Sequence, residues 1–141
     1  MKIAVRYFSR SGNTKKVAEA IAKAAGVEAK DCSVPIDGGI DLLFLGGAVY
    51  GGKIDKPLME FIEKLEPQNV KCAALFGTSA IAKNPGSKME KILQQKNIPI
   101  ARQRFYCYGA FAFMRRGRPN EKDLKQAAEF ASALSKELSE K

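Results

Sequence analysis

Apolar positions along the chain fall either in short continuous runs or in stripes spaced three and four apart, so strands and helices alternate. Ile3 to Phe8 is a run that predicts a strand, and it ends in a polar, glycine-containing turn. Val17, Ala18, Ile21, Ala22 and Ala25 then share one face of a helix that Gly26 stops. Val27 to Val34 reads as a second, edge-like strand. Leu42-Leu43-Phe44-Leu45 is apolar without a break, as a strand covered on both faces must be, and predicts the centre of a parallel sheet. Asp55 and Pro57 open a helix with Leu58, Phe61, Ile62 and Leu65 on one face, and Val70 to Phe76 makes the next buried strand. Residues 77–86 read as a loop. Ser87 and Glu90 have capping-box spacing and predict a short helix with Met89, Ile92 and Leu93 inward. Ile100 to Phe113 alternates imperfectly, as one long last strand or a hairpin-like extension would. Arg115 to Pro119 is loop, Asn120 caps the last helix, and the stripe Leu124, Ala127, Ala128, Ala131, Leu134 and Leu138 carries that helix towards the C-terminus.

Five strands with interposed helices predict an α/β fold, a doubly wound parallel sheet, in one domain spanning residues 1–141. Ligands of such sheets bind at the carboxyl ends of the strands, beside the point where the winding reverses. Three loops lie there: 9–14, 46–53 and 77–84.

Composition narrows the chemistry. Twenty-four Lys and Arg against fifteen Asp and Glu leave a net charge of +9, which favours phosphates, nucleic acid or acidic partners. The chain has no histidine, which excludes His-dependent triads and histidine metal sites, so redox chemistry would need an organic cofactor. Cys32, Cys72 and Cys107 lack CxxC spacing and read as small buried hydrophobes of a reducing compartment. The longest apolar stretch, Leu42 to Val49, is too short to span a bilayer, and Arg6 interrupts any secretory apolar core. A cytoplasmic location without a membrane partner is the expectation.

The first loop reads Ser9-Arg10-Ser11-Gly12-Asn13-Thr14 and runs from strand into helix. Gly12 allows the tight turn, the free amides at the helix start carry the positive end of the dipole, and Ser9, Ser11 and Thr14 can donate hydroxyls, a combination suited to a phosphate. Neither the P-loop nor the dinucleotide fingerprint is present. An ordinary capped turn between strand and helix is the alternative.

With [ST]-x-[ST]-G-x-[ST] matched at all three hydroxyl positions, the sequence resembles the flavodoxin family. The likeness extends through YFSRSGNTKKVAEAIA, DLLFLGGAVYGGKIDKPLMEFI and GRPNEKDLKQAAEFA. It implies a flavodoxin-like three-layer sandwich with strand order 2-1-3-4-5 and non-covalently held FMN. It further implies that Ala48, Val49, Tyr50, Gly51 and Gly52 hold the isoalloxazine edge, with Tyr50 stacked on the ring, a plain loop with a surface tyrosine being the alternative. Thr78, Ser79 and Ala80 would bond the pyrimidine part of the ring, although this third loop lacks the aromatic and acidic residues usual in the family's electron carriers.

The implied function is electron transfer between a reductase and an acceptor, with a redox partner protein of acidic character. An FMN oxidoreductase of the quinone or flavin reductase type, which uses NAD(P)H directly to reduce a small-molecule acceptor, and a flavin-free binding module are the alternatives. Arg115, Arg116 and Arg118, interleaved with Phe111, Phe113 and Met114, read as a solvated turn, a dock for an anionic partner or, least of all, a nucleic-acid contact. No nucleic-acid partner is expected overall, and the sequence leaves the oligomeric state open.

Overall fold

Residues 1–48, 53–79, 86–110 and 115–140 are described in the computed structural model of the chain. The elements follow as β1 (Ile3–Phe8), α1 (Asn13–Ala25), β2 (Ala29–Asp31), β3 (Leu42–Ala48), α2 (Lys56–Glu63), β4 (Ala73–Ser79), α3 (Ser87–Gln95), β5 (Phe105–Tyr108) and α4 (Glu121–Ser139). All neighbouring strands pair in parallel, in the order β2-β1-β3-β4-β5.

Parallel neighbours require crossovers, and the helices that make them cover both faces of the sheet. Alternate residues of β3 therefore enter two separate cores. Leu42 and Phe44 pack with Val17 and Ile21 of α1 and with Ala127, Ala131 and Leu134 of α4. Leu43 and Leu45 pack with Leu58, Phe61 and Ile62 of α2 and with Met89 and Leu93 of α3. Phe44 also meets the edge of Phe130 at 5.7 Å between ring centroids. Fully burying a side chain of this size contributes roughly 1.5–3 kcal/mol.

Several boundaries differ from the sequence expectation. The second strand covers Ala29–Asp31 rather than 27–34. At its start the Val27 amide donates to the Ala22 carbonyl at 2.9 Å and closes α1; beyond its end, Arg6, buried in β1, donates through Nε to the Val34 carbonyl at 2.8 Å and through Nη2 to that of Pro35 at 3.1 Å. Those carbonyls turn to the guanidinium instead of extending the ladder.

In β3 and β4 the strands run further than the apolar runs suggest, so Gly46, Gly47, Gly77, Thr78 and Ser79 belong to strands and not to loops. Gly77 is needed there because a Cβ would stand 2.2 Å from the Gly47 carbonyl oxygen. The third helix is capped by Gly86 without a side-chain bond, and Ser87 is its first residue. With Ser87 inside the helix, Glu90 is one position too far for a capping box, and its carboxylate pairs with Arg104 instead.

The last strand is confined to Phe105–Tyr108. Ile100 makes one isolated bridge to Ala73, and the exposed residues 102–104 separate it from β5. The part of the expected strand at 111–113 lies outside the described residues.

The cap of α4 is as expected. Asn120 accepts from the Asp123 amide, and Asp123 accepts from the Asn120 amide, each at 2.9 Å. The three cysteines are free. Cys32 is buried as expected, whereas Cys72 and Cys107 are half-buried, and burial pushes the Cys32 thiol up to about 11 and that of Cys107 up to about 12. Among the described residues no helix is long and apolar enough to cross a membrane.

Candidate functional site

One end of the sheet gathers every strand carboxyl terminus and every helix amino terminus, and loop 9–14 lies there between β1 and α1. Gly12 is the N-cap of α1, with φ of 92° and no side-chain cap. That left-handed conformation favours glycine, and a Cβ built there would meet nothing within 4 Å, so the space beside the turn is open. The Gly12 amide donates to Ser9 Oγ at 3.0 Å, which closes the turn, and its carbonyl accepts from Lys16 at 3.1 Å. The first-turn amides of α1 have no acceptor within the helix and carry the positive end of its dipole. Ser9 is half-buried, and Ser11 is exposed.

Thr14 is buried, unlike Ser9 and Ser11. It is 1% exposed, and its Oγ1 lies 2.9 Å from Oγ1 of Thr78, itself 2% exposed. The expected loop donor Thr78 is thus a strand residue that ties β4 to the start of α1. Ser79 is also in the strand, with its carbonyl accepting from the Gly109 amide at 3.2 Å. Asn13 joins the same junction through Nδ2, which donates to the Ala110 carbonyl at 2.9 Å. Gly109 fits against it because a Cβ would come within 2.9 Å of Thr78 and 3.2 Å of Asn13.

Ala48 ends β3, half-buried and in register with Thr78. Val49, Tyr50, Gly51, Gly52 and Ala80, the rest of the expected flavin contacts, lie outside the described residues. Arg10 is exposed and forms an ion pair with the buried carboxylate of Asp55, the N-cap residue of α2. Asp55 makes no side-chain bond to the helix it caps, so the pair links loop 9–14 to the segment that follows residues 49–52. The sequence marks Asp55 only as a helix opener, because nothing in its spacing announces a partner 45 positions earlier.

Two further features come from β5 and the turn after it. The Tyr106 ring lies over Gly77, and its hydroxyl reaches Gly86, buried and without a partner among the described residues. Burial raises the pKa of that phenol well above its ordinary value. Tyr108 is exposed and carries the Arg115 guanidinium 3.8 Å above its ring centroid. Arg118 lies 5.2 Å from the same centroid and makes a forked pair with Asp123, at 2.6 and 2.7 Å. That guanidinium holds the Asp123 carboxyl below the usual carboxylate range.

This end of the molecule can therefore present amides, a serine hydroxyl and cations around open space beside Gly12. Such a set binds the terminal phosphate of a small molecule.

Comparison with known proteins identifies the family and the fold. A family model described as a flavodoxin domain matches residues 4–115. The flavodoxin-like domain-containing protein BilS of Clostridioides difficile is 34% identical over 126 residues, 79% of this chain and 68% of that protein. An uncharacterized protein of Methanocaldococcus jannaschii is 28% identical over 150 residues, 96% of this chain and 99% of that one. Among solved structures, a flavodoxin from the domain Archaea superposes with a TM-score of 0.79 at 18% identity, covering 99% of both chains.

Proposed function

Because the chain belongs to the flavodoxin domain family, we propose that it binds FMN at the carboxyl end of its sheet and carries electrons between a reductase and an acceptor. The observation that carries this reading is the Gly12 turn, left-handed and open on one side, at the dipole end of a helix whose first-turn amides lack partners in the helix. Loop 9–14 receives the phosphate, with Ser9, Ser11 and the amides of Ser11 to Thr14 as donors. The Thr14–Thr78 bond and the Asn13–Ala110 bond hold that loop against β4 and the end of β5. Tyr50 and the glycines beside it hold the ring, and the Thr78 hydroxyl contributes by fixing the loop. FMN, once bound, supplies one- and two-electron chemistry that the side chains of this protein lack.

The test is the absorbance spectrum of the purified protein, with and without added FMN. The reading expects a flavin band near about 450 nm that bleaches on reduction with dithionite. A protein that stays colourless and leaves the FMN spectrum and fluorescence unchanged would overturn it. Mixing the loaded protein with NADPH alone, and then with a reductase added, separates the two redox readings. A carrier bleaches only in the second case.

A further inference from the structure

The charge of the protein is concentrated around this site. Segments 9–16, 53–59 and 115–123 all lie at the carboxyl end of the sheet, and together they hold nine Lys and Arg against three Asp and Glu. Six of the nine net charges of the chain are therefore found in 24 residues. Two of the three carboxylates are committed locally, Asp55 to Arg10 and Asp123 to Arg118.

Helix amino termini usually attract acidic residues, because these oppose the positive end of the dipole. Here the first turns of α1 and α2 contain none and carry exposed Lys15, Lys16 and Lys56. Dipole and side chains thus add to one positive field, more than a single phosphate dianion would offset.

The turn after β5 gives this field a fixed edge. Ala110 donates to the Arg118 carbonyl at 2.9 Å, and Arg118 donates to that of Arg115 at 3.1 Å. Asp123 clamps the Arg118 side chain, while the Arg115 guanidinium stands over exposed Tyr108, and Arg116, next in the chain, is also exposed. Asn13 bonds Ala110, so the platform abuts the start of α1, next to the phosphate loop. An aromatic ring with planar cations held over it is pre-ordered for docking, since little side-chain freedom is lost when a partner arrives.

We propose that this rim, built on Tyr108, Arg115 and Arg116 and extended by Lys15, Lys16 and Lys56, docks an acidic face of a redox partner protein. The inference rests on the electron-carrier reading, because a partner must come close to a bound flavin and the rim surrounds that end of the sheet. The same reading favours a protein over nucleic acid, which has no redox centre to serve.

The test measures binding by calorimetry at about 10 and about 300 mM ionic strength, with two probe haem proteins, acidic cytochrome b5 and basic cytochrome c. The rim predicts binding to cytochrome b5 that weakens by about tenfold or more at the higher salt, and none to cytochrome c. The double variant Arg115→Glu, Arg116→Glu, at exposed turn positions, should lose cytochrome b5 and gain cytochrome c. Lys64→Glu with Lys71→Glu, which makes the same charge change away from the rim, should keep the original preference. Equal weakening by both double variants would reduce the effect to net charge and overturn the proposal. Absence of salt-dependent cytochrome b5 binding, or tighter binding of a duplex oligonucleotide through the same arginines, would also overturn it. Calorimetry reads docking whether or not flavin is present, so a failure here is distinct from failure to bind FMN.

Discussion

Thr14 and Thr78 are 64 positions apart and share one buried hydroxyl contact at 2.9 Å. Replacing one partner leaves the other hydroxyl buried and unpaired, so Thr78→Val should cost about 1–3 kcal/mol. The double change to Val at 14 and 78 should cost less than the sum of the two single changes, measured by urea unfolding as a double-mutant cycle. Strict additivity would show that the hydroxyls are not coupled. Arg10 and Asp55 invite a different comparison, because the arginine is 66% exposed and the carboxylate only 7%. Arg10→Ala leaves a buried carboxylate without its cation, whereas Asp55→Asn leaves a solvated arginine and a residue that caps helices well. Arg10→Ala should therefore be the more destabilising of the two in the same assay. At this scale the sequence reveals the hydroxyl triplet and Gly12, which depend on local turn chemistry. It does not reveal that Thr14 turns inward, because that depends on which residue β4 brings opposite.

Helix α4 begins with a reciprocal cap that Arg118 reinforces, and Asp123 belongs to both. Asp123→Ala should cost about 1–2 kcal/mol, the range for losing a helix cap. The pH dependence has a definite sign. Arg118 lowers the Asp123 pKa in the folded state, so this stability is present above the ordinary carboxylate value of about 3.9 and is lost as pH falls through the lower folded value. Melting temperatures followed from about pH 5 to pH 2 should fall less steeply in Asp123→Asn than in the parent. Parallel slopes would contradict the assignment. Gly77→Ala tests the close approach of β3 and β4, since its Cβ would meet backbone that cannot rotate away. A loss of about 1–3 kcal/mol is expected. The apolar runs of β1 and β3 and the stripes of α1, α2 and α4 are legible in the sequence because burial imposes them residue by residue. The ends of β2 and β5 are not, since a buried arginine drawing carbonyls away and a single bridge at Ile100 leave no periodic trace.

For the molecule as a whole, the alternating order of strands and helices is enough to expect the doubly wound sheet, at whose carboxyl end loop 9–14 and the end of β4 meet. The net charge is also plain in the sequence, but its concentration at that end appears only when segments 9–16, 53–59 and 115–123 are brought together by the fold. Reduction adds negative charge to a bound flavin, and the basic end stabilises it, so the reduction potential should fall as salt screens the field. A reductive titration at low and high ionic strength measures this, and a potential insensitive to salt would assign control to the loops alone. The proposed FMN binding depends on whether loop 9–14 holds a terminal phosphate. Titrating the apoprotein with FMN and with riboflavin, which lacks only that phosphate, tests this most directly. Two or more charge-assisted hydrogen bonds at about 1.5 kcal/mol each correspond to a preference for FMN of about 100-fold or greater. Equal affinities would contradict the assignment of the loop.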